Sequence, residues 1–325
     1  MLFLHNEKII YMRHIAIVFF VVLAFGSCDN SSKENKTLVI FHAGSLSKPI
    51  KAIANEYMRE NPGVVIQLEA AGSVECARKI TELNRQADIL ASADYKIIDD
   101  LLIPKHATWN LLFAGNEMAL VYKPESKYAS EISRDNWYSI IQKPEVFYGR
   151  SDPNADPCGY RTLLTLQLSE LYYNSPNLMN SIASKDNRFI RPKEVDLLAL
   201  IESGAIDYLF IYRSVAVQHG LLYLSLPPEI NLSTPIHADF YSNSAVSIRG
   251  SSPGDSLVIR GEPMVYGITI PNNAPNMSLA IDFLKYFISN DKGLKVIEDM
   301  GMPLVSPIVV RGDSSLFYQM TILGN

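Results

Sequence analysis

The chain has 325 residues, 48% of them apolar and 19% charged, with a formal net charge of −5. That balance fits a globular protein with a sizeable core and excludes a disordered or fibrous chain. It leaves no basic footprint for nucleic acid, yet says nothing against a small anion, which binds to local donors rather than to overall charge.

Residues 15–25 form an apolar run, preceded by Arg13 and His14 and followed by Gly26-Ser27-Cys28. A short positive region, an apolar stretch and small residues at the cut are the parts of a signal peptide, here residues 1–27. The run is short for a transmembrane span; an uncleaved anchor is the alternative, and a start at Met12 would shorten the signal. A Cys directly after small residues resembles a bacterial lipobox, which implies that Cys28 is acylated and becomes the mature N-terminus, although Phe25 departs from the usual Leu. Residues 28–36 are polar and can form no core. They read as a tether holding a folded domain, residues 37–325, at a membrane in the periplasm or another extracytoplasmic space.

Within that domain, residues 37–41 (TLVIF) read as a buried strand that ends at His42-Ala43-Gly44-Ser45. Leu46, Ile50, Ile53, Ala54, Tyr57 and Met58 then recur at helical spacing until Asn61-Pro62-Gly63. A second strand spans 64–68, Ala71-Gly72-Ser73 opens a helix running to Leu83, and a strand over 87–91 precedes a helix over 95–102. Strands alternating with helices predict an α/β fold with a mostly parallel sheet. Residues 109–122 read as a strand pair, and Lys123-Pro124-Glu125-Ser126 marks a boundary. A second α/β region follows: helix 136–142, a strand at Phe147 and Tyr148, a loop over 149–157, and helices 158–173 and 195–203. Strand 208–211, helix 214–219 and strand 221–226 come next. Strands 245–249 and 264–270 flank a Gly/Ser/Pro-rich loop, and the last helix carries Ala280, Phe283, Leu284, Phe287 and Ile288 on one face. There is no dinucleotide or P-loop motif. Two such regions predict a bilobal protein with a ligand cleft at the strand ends, lobe 1 being about 37–122 and 262–325 and lobe 2 about 123–261.

Two turns share one design. Gly44-Ser45 and Gly72-Ser73 each follow a strand and begin a helix. Either Ser can simply cap its helix. Two such turns at neighbouring strand ends offer free amides, helix dipoles and hydroxyls to one point, which makes an anion site without basic residues. Asp156, before Pro157 at the first helical position, fits a helix cap and equally a carboxylate in the same cleft. Glu202 shares a helical face with Val195, Leu198 and Ala199 and so is expected to point inward; an exposed glutamate at a helix end is the alternative. Cys76 and Cys158 lie just inside helices bordering the cleft and are expected to be free, buried thiols, since a bridge would restrict opening. A secreted hydrolase using Cys158 or a Ser with His42 or His219 lacks a nucleophile elbow and zinc-type clusters, so the protein is expected not to be an enzyme. A purely structural surface lipoprotein would need all these loops to be ordinary caps.

Several blocks occur in order across nearly the whole mature chain: His42-Ala43-Gly44-Ser45-Leu46, Gly72-Ser73 with Ala77-Arg78-Lys79, Ala91-Ser92-Ala93-Asp94, Asp156-Pro157-Cys158-Gly159-Tyr160-Arg161, Arg191-Pro192-Lys193-Glu194, and 207–216 (DYLFIYRSVA). Together they resemble the tungstate/molybdate-binding proteins of ABC importers, in the branch named WtpA. The resemblance implies the type II periplasmic-binding fold, with two α/β lobes and the anion between them. It also implies delivery to an ABC permease, a monomer, and no cofactor, tungstate or molybdate being the ligand; another small oxyanion such as sulfate or phosphate is the alternative. Carried over residue by residue, Ser45 and Ser73 donate to the oxyanion, Ala155 and Asp156 contribute from the second lobe, Tyr212 closes over the ligand, and Glu202 is the second carboxylate beside Asp156. Some relatives carry an acid where this chain has Ile211, which leaves the source of that second carboxylate open.

A carboxylate about 4 Å from a dianion costs roughly 8 kcal/mol at an effective dielectric of about 20, whereas a charge-assisted hydrogen bond returns about 1.5–3 kcal/mol. Two carboxylates are tolerable only if their oxygens bind the hexavalent metal or if one is protonated and donates. The family suggests the first option, with Asp156 and Glu202 raising the metal from four to six oxygen ligands. Sulfur cannot expand its coordination in that way.

Overall fold

The computed structural model describes residues 36–250, 254–313 and 315. The expected signal peptide, the acylated Cys28 and the tether up to residue 35 lie outside the described residues; Lys36, expected in the tether, begins the first strand.

In chain order the elements are β1 (Lys36–Ala43), α1 (Ser47–Glu60), β2 (Val64–Ala71), α2 (Ser73–Thr81), β3 (Ile89–Ser92), α3 (Tyr95–Leu101), β4 (Trp109–Gly115), β5 (Met118–Tyr122), α4 (Trp137–Ile141) and β6 (Tyr148–Ser151). There follow α5 (Pro157–Tyr172), α6 (Leu178–Ala183), β7 (Ile190–Arg191), α7 (Leu198–Glu202), β8 (Tyr208–Tyr212), α8 (Arg213–His219) and β9 (Leu222–Ser225). The chain continues through α9 (Ala238–Tyr241), β10 (Ala245–Arg249), β11 (Ser256–Arg260), β12 (Val265–Thr269), α10 (Met277–Phe287), α11 (Gly293–Asp299) and β13 (Leu304–Gly312). Among the described residues no helix is long and apolar enough to cross a membrane.

The strands build two main sheets, ordered β13-β4-β12-β3-β1-β2 and β7-β6-β8-β5-β9, and β10 and β11 form a hairpin of their own. In the first sheet β1 runs parallel to both β2 and β3; in the second, β6 runs parallel to β7 and β8. The buried stretch of β1 reflects its place inside a sheet covered on both faces. Helix α1 buries Ile50, Ile53, Ala54 and Tyr57, the stripe that its sequence period predicts. Tyr57 packs edge-on against Phe283 and Tyr286 of α10 at 5.2 Å.

The expected strand pair over 109–122 is corrected. β4 pairs with β12 and β13, while β5 pairs with β8 and β9, so the chain passes between sheets at Gly115-Asn116-Glu117. Strand β13 escapes sequence reading because it is an edge strand carrying Pro307, a shifted register and many exposed residues. What matters for function is the polarity of the parallel strands. β1, β2 and β3 deliver Ser45, Ser73 and Ala93-Asp94 at their C-terminal ends, and β6, β7 and β8 deliver Asp156, Glu194 and Tyr212 at theirs. Those ends are where open α/β sheets hold ligands.

Candidate functional site

The two glycine-serine turns of the first sheet meet loops of the second. A Cβ built on Gly72 would stand 2.1 Å from the Ala155 carbonyl oxygen, and one on Gly44 would stand 2.9 Å from Glu194 Oε2. At Gly72, where the contact is with backbone, only glycine admits an approach this close. Ser45, Ser73, Asp156 and Tyr212 are all buried here.

Asp156 caps α5 as its sequence predicts, Oδ1 accepting from the Cys158 amide at 3.2 Å. Its other oxygen accepts from the Glu194 amide at 2.9 Å, which fastens the end of β7 to the start of α5. Ala155 presents no free amide. Its N–H and that of Asp156 both donate to the Asp152 carbonyl, while its own carbonyl accepts from the Glu75 amide at 3.1 Å.

The second carboxylate in the cluster is Glu194. Glu202 is exposed at the end of α7, its backbone carbonyl accepting from Lys123 Nζ at 3.1 Å. The burial period of this segment runs through Glu194, Leu197, Leu198 and Ile201, one residue out of phase with the expected face. Leu197 and Ile201 are the larger apolar groups, so they take the core and turn Glu202 outward. Glu194 is fully buried, and among the described residues neither of its carboxyl oxygens makes a well-formed hydrogen bond. Burial and then the neighbouring Asp156 hold its pKa well above the ordinary carboxyl value; burial likewise raises Asp156, against the hydrogen bonds it accepts. Ser45 and Asp156 are the polar neighbours of the Glu194 side chain.

Around these carboxyls, four hydroxyls have been turned into donors. Asn116 Nδ2 donates to Tyr266 Oη at 3.0 Å, so the Tyr266 proton goes to Ser45 Oγ, also at 3.0 Å. The same Asn116 amide nitrogen donates to Ser214 Oγ at 2.7 Å. Its orientation follows from the Glu117 amide, which donates to Asn116 Oδ1 at 3.0 Å. The Ala93 amide donates to Ser73 Oγ at 2.9 Å, and Arg161 Nη1 to Tyr212 Oη at 3.1 Å. Ser45, Ser73, Tyr212 and Ser214 thus each accept one bond and, among the described residues, give their own proton to no well-aligned acceptor, Ser45 having the Glu194 carboxyl beside it. With the helix N-termini behind Ser45 and Ser73, the donor set suits an oxyanion rather than a bare cation. Cys76 and Cys158 are buried and, among the described residues, unpaired. Burial pushes the Cys76 thiol up to about 12 and the Cys158 thiol well above its usual value, so both stay protonated.

Sequence reading missed Glu194, Tyr266, Asn116 and Ser214 as site residues. Glu194 was legible as the residue three before Leu197 and seven before Ile201. Tyr266 and Asn116 carry no local signal, since each joins the site from a distant strand or crossing.

A family model for bacterial extracellular solute-binding proteins matches residues 38–303. The chain belongs to that family. This solute-binding protein is 45% identical over 289 residues to an uncharacterized solute-binding protein of Petrotoga mobilis, covering 88% of this chain and 89% of the relative. It is 41% identical over 340 residues to the molybdate/tungstate-binding protein WtpA of Thermococcus kodakarensis, covering 93% and 95%. Among solved structures it is similar to the periplasmic molybdate-binding protein of Azotobacter vinelandii, with a TM-score of 0.61 and 15% identity over 83% of this chain and 99% of that one. That likeness is one of fold, and it agrees with the expected periplasmic-binding architecture.

Proposed function

We propose that this protein captures molybdate or tungstate outside the cytoplasmic membrane and hands it to an ABC permease, without turnover and without a cofactor. In this reading Ser45, Ser73, Tyr212 and Ser214 donate hydrogen bonds to the oxyanion, while Asp156 and Glu194 are its carboxylate ligands. Delivery by a monomer held at the membrane through an acylated Cys28, after removal of a signal peptide, is the cellular part of the same proposal.

The observation that carries the reading is Glu194, a fully buried carboxyl group beside Ser45 and Asp156 whose oxygens make no well-formed hydrogen bond among the described residues. Leaving such a group unsatisfied is costly, so a ligand that engages it accounts for its retention. Four hydroxyl donors at about 1.5–3 kcal/mol each offset roughly one carboxylate–dianion repulsion of about 8 kcal/mol, not two. Two carboxyls beside a dianion therefore call for direct bonds to a group-six metal or for a proton on one of them. The 41% identity to a WtpA protein supports the choice of anion. A hydrogen phosphate ion, whose own proton could go to Glu194, is the competing ligand that the same carboxyl admits.

Titration calorimetry with molybdate, tungstate, sulfate and phosphate tests the proposal, followed by X-ray absorption at the bound metal. Tight binding of the first two with six oxygen neighbours is expected. Four oxygen neighbours would remove the carboxylate ligation, and phosphate binding as tightly as molybdate would replace the proposed ligand.

A further inference from the structure

Behind the donor hydroxyls lies a second buried cluster that takes no direct part in holding an anion. Asp94, at the end of β3, caps α3 by accepting from the Lys96 amide at 2.9 Å. Its other oxygen faces the second half of the molecule, where it accepts from the Tyr160 hydroxyl and pairs with Arg161 Nη2 at 3.3 Å. Arg161 Nη1 donates to the Ala93 carbonyl at 2.7 Å and to Tyr212 Oη at 3.1 Å. All three side chains are nearly inaccessible, with Asp94 2%, Tyr160 0% and Arg161 3% exposed.

The connectivity gives this cluster a function. Tyr160 and Arg161 sit in the first turns of α5, whose cap is Asp156, so holding them against Asp94 fixes where that cap stands. The backbone of Ala93 lies close by on the other side: its carbonyl takes the Arg161 bond and its amide donates to Ser73 Oγ. Arg161 therefore orients donors from both sheets, Ser73 through Ala93 and Tyr212 directly. A buried ion pair adds little net stability, because desolvation offsets attraction, but losing one partner strands the other charge. Here the two charges come from different sheets, so parting the halves would rehydrate both and break the Arg161 bond to the Ala93 carbonyl, loosening the groups that hold the two hydroxyls.

We propose that Asp94, Tyr160 and Arg161 form a closure lock, in which Arg161 is a positioning residue that couples contact between the two halves to the orientation of Ser73 and Tyr212. This rests on the oxyanion reading of the same site. Stopped-flow binding of molybdate to the whole protein tests it. Asp94→Asn is expected to speed dissociation about 10-fold or more and Tyr160→Phe about 3-fold, with association changed less than about 2-fold, since interface losses fall mainly on dissociation. A purely structural role would leave that split unmoved. Unchanged dissociation in both variants, or affinity lost through slower association, overturns the lock. Tyr160→Phe, which removes one hydroxyl, carries the test if Asp94→Asn does not fold. A wild-type protein that binds neither molybdate nor tungstate would sink the oxyanion reading alone. The lock is then judged by small-angle scattering of the ligand-free protein, where both variants should be more expanded than wild type and an equal radius of gyration overturns it.

Discussion

Glu194 and Glu202 stand eight positions apart on one segment and meet opposite fates. One is sealed beside Ser45 and Asp156, its carboxyl oxygens making no well-formed hydrogen bond among the described residues; the other lies in solvent at a helix end. A one-residue shift of phase separates them. Residues 194, 197, 198 and 201 fill the core, and a helix cannot bury that stripe and the one containing 195, 199 and 202 at the same time. Burial alone would condemn an unpaired carboxylate. Its survival at the meeting point of two sheets is what the proposed oxyanion ligand accounts for.

The largest expected effect follows from this contrast. Glu194→Gln should weaken molybdate or tungstate binding at least about 100-fold, close to 3 kcal/mol at about 1.4 kcal/mol per factor of ten. Calorimetry on the two proteins decides it. A variant that still binds within a few-fold of wild type would remove Glu194 from the ligand shell.

The pH dependence sharpens the comparison further. Burial and Asp156 raise the Glu194 pKa in the folded protein, so its contribution to stability is fully present below the unfolded value and is lost as pH rises through the folded one. The ligand-free protein should therefore lose thermal stability above about pH 4.5, relative to Glu194→Gln, which lacks that slope. Binding carries a sign of its own. If Glu194 ligates the metal as a carboxylate, capture releases its proton and affinity rises with pH; if it stays protonated and donates, affinity falls. Calorimetry in buffers of different ionisation heat reads the proton count.

How much of this was open to sequence reading depended on the distance over which each residue acts. The glycine-serine turns and the Asp156 cap are local patterns, in which a strand end, a small residue and a helix start follow within a few positions. Glu194 was within reach too, since Leu197 and Ile201 make a stronger apolar stripe than Val195 and Ala199, the stripe that points to Glu202. The partners that make the hydroxyls into donors were out of reach, because Tyr266 meets Ser45 across 221 positions and no periodicity encodes a tertiary contact of that kind. The same limit hid the crossing at Gly115-Asn116-Glu117, since two adjacent strands of similar composition look like a hairpin until their pairing is known.

A middle-sized effect belongs to the serines. Ser45→Ala and Ser73→Ala should each cost about 1–3 kcal/mol of binding, the range for losing a hydrogen bond to a charged group. The consequences should nonetheless differ. Removing the Ser45 hydroxyl leaves the Tyr266 proton without its acceptor and takes a polar neighbour from Glu194, so Ser45→Ala should also shift the pH profile of binding. Ser73 receives a backbone amide from Ala93, and its loss should lower affinity without moving the profile. Identical profiles in the two variants would argue that Ser45 and Glu194 do not communicate.

The smallest expected effect is on the other side of the comparison. Glu202→Gln removes a charge that is exposed and whose side chain makes no hydrogen bond or ion pair among the described residues. Near a helix C-terminus a carboxylate is mildly unfavourable, so stability should change by no more than about 0.5 kcal/mol, as for ordinary surface substitutions. Binding should stay within about 2-fold of wild type, because a solvent-exposed charge acts through a screened field. A tenfold loss of molybdate affinity in Glu202→Gln would mean that the segment rotates by one residue when ligand binds, exchanging the two glutamates. Such a rotation would have to expose Leu197 and Ile201, and burying side chains of that size is worth about 1.5–3 kcal/mol each. The packing of this segment therefore sets the choice of glutamate before any ligand arrives.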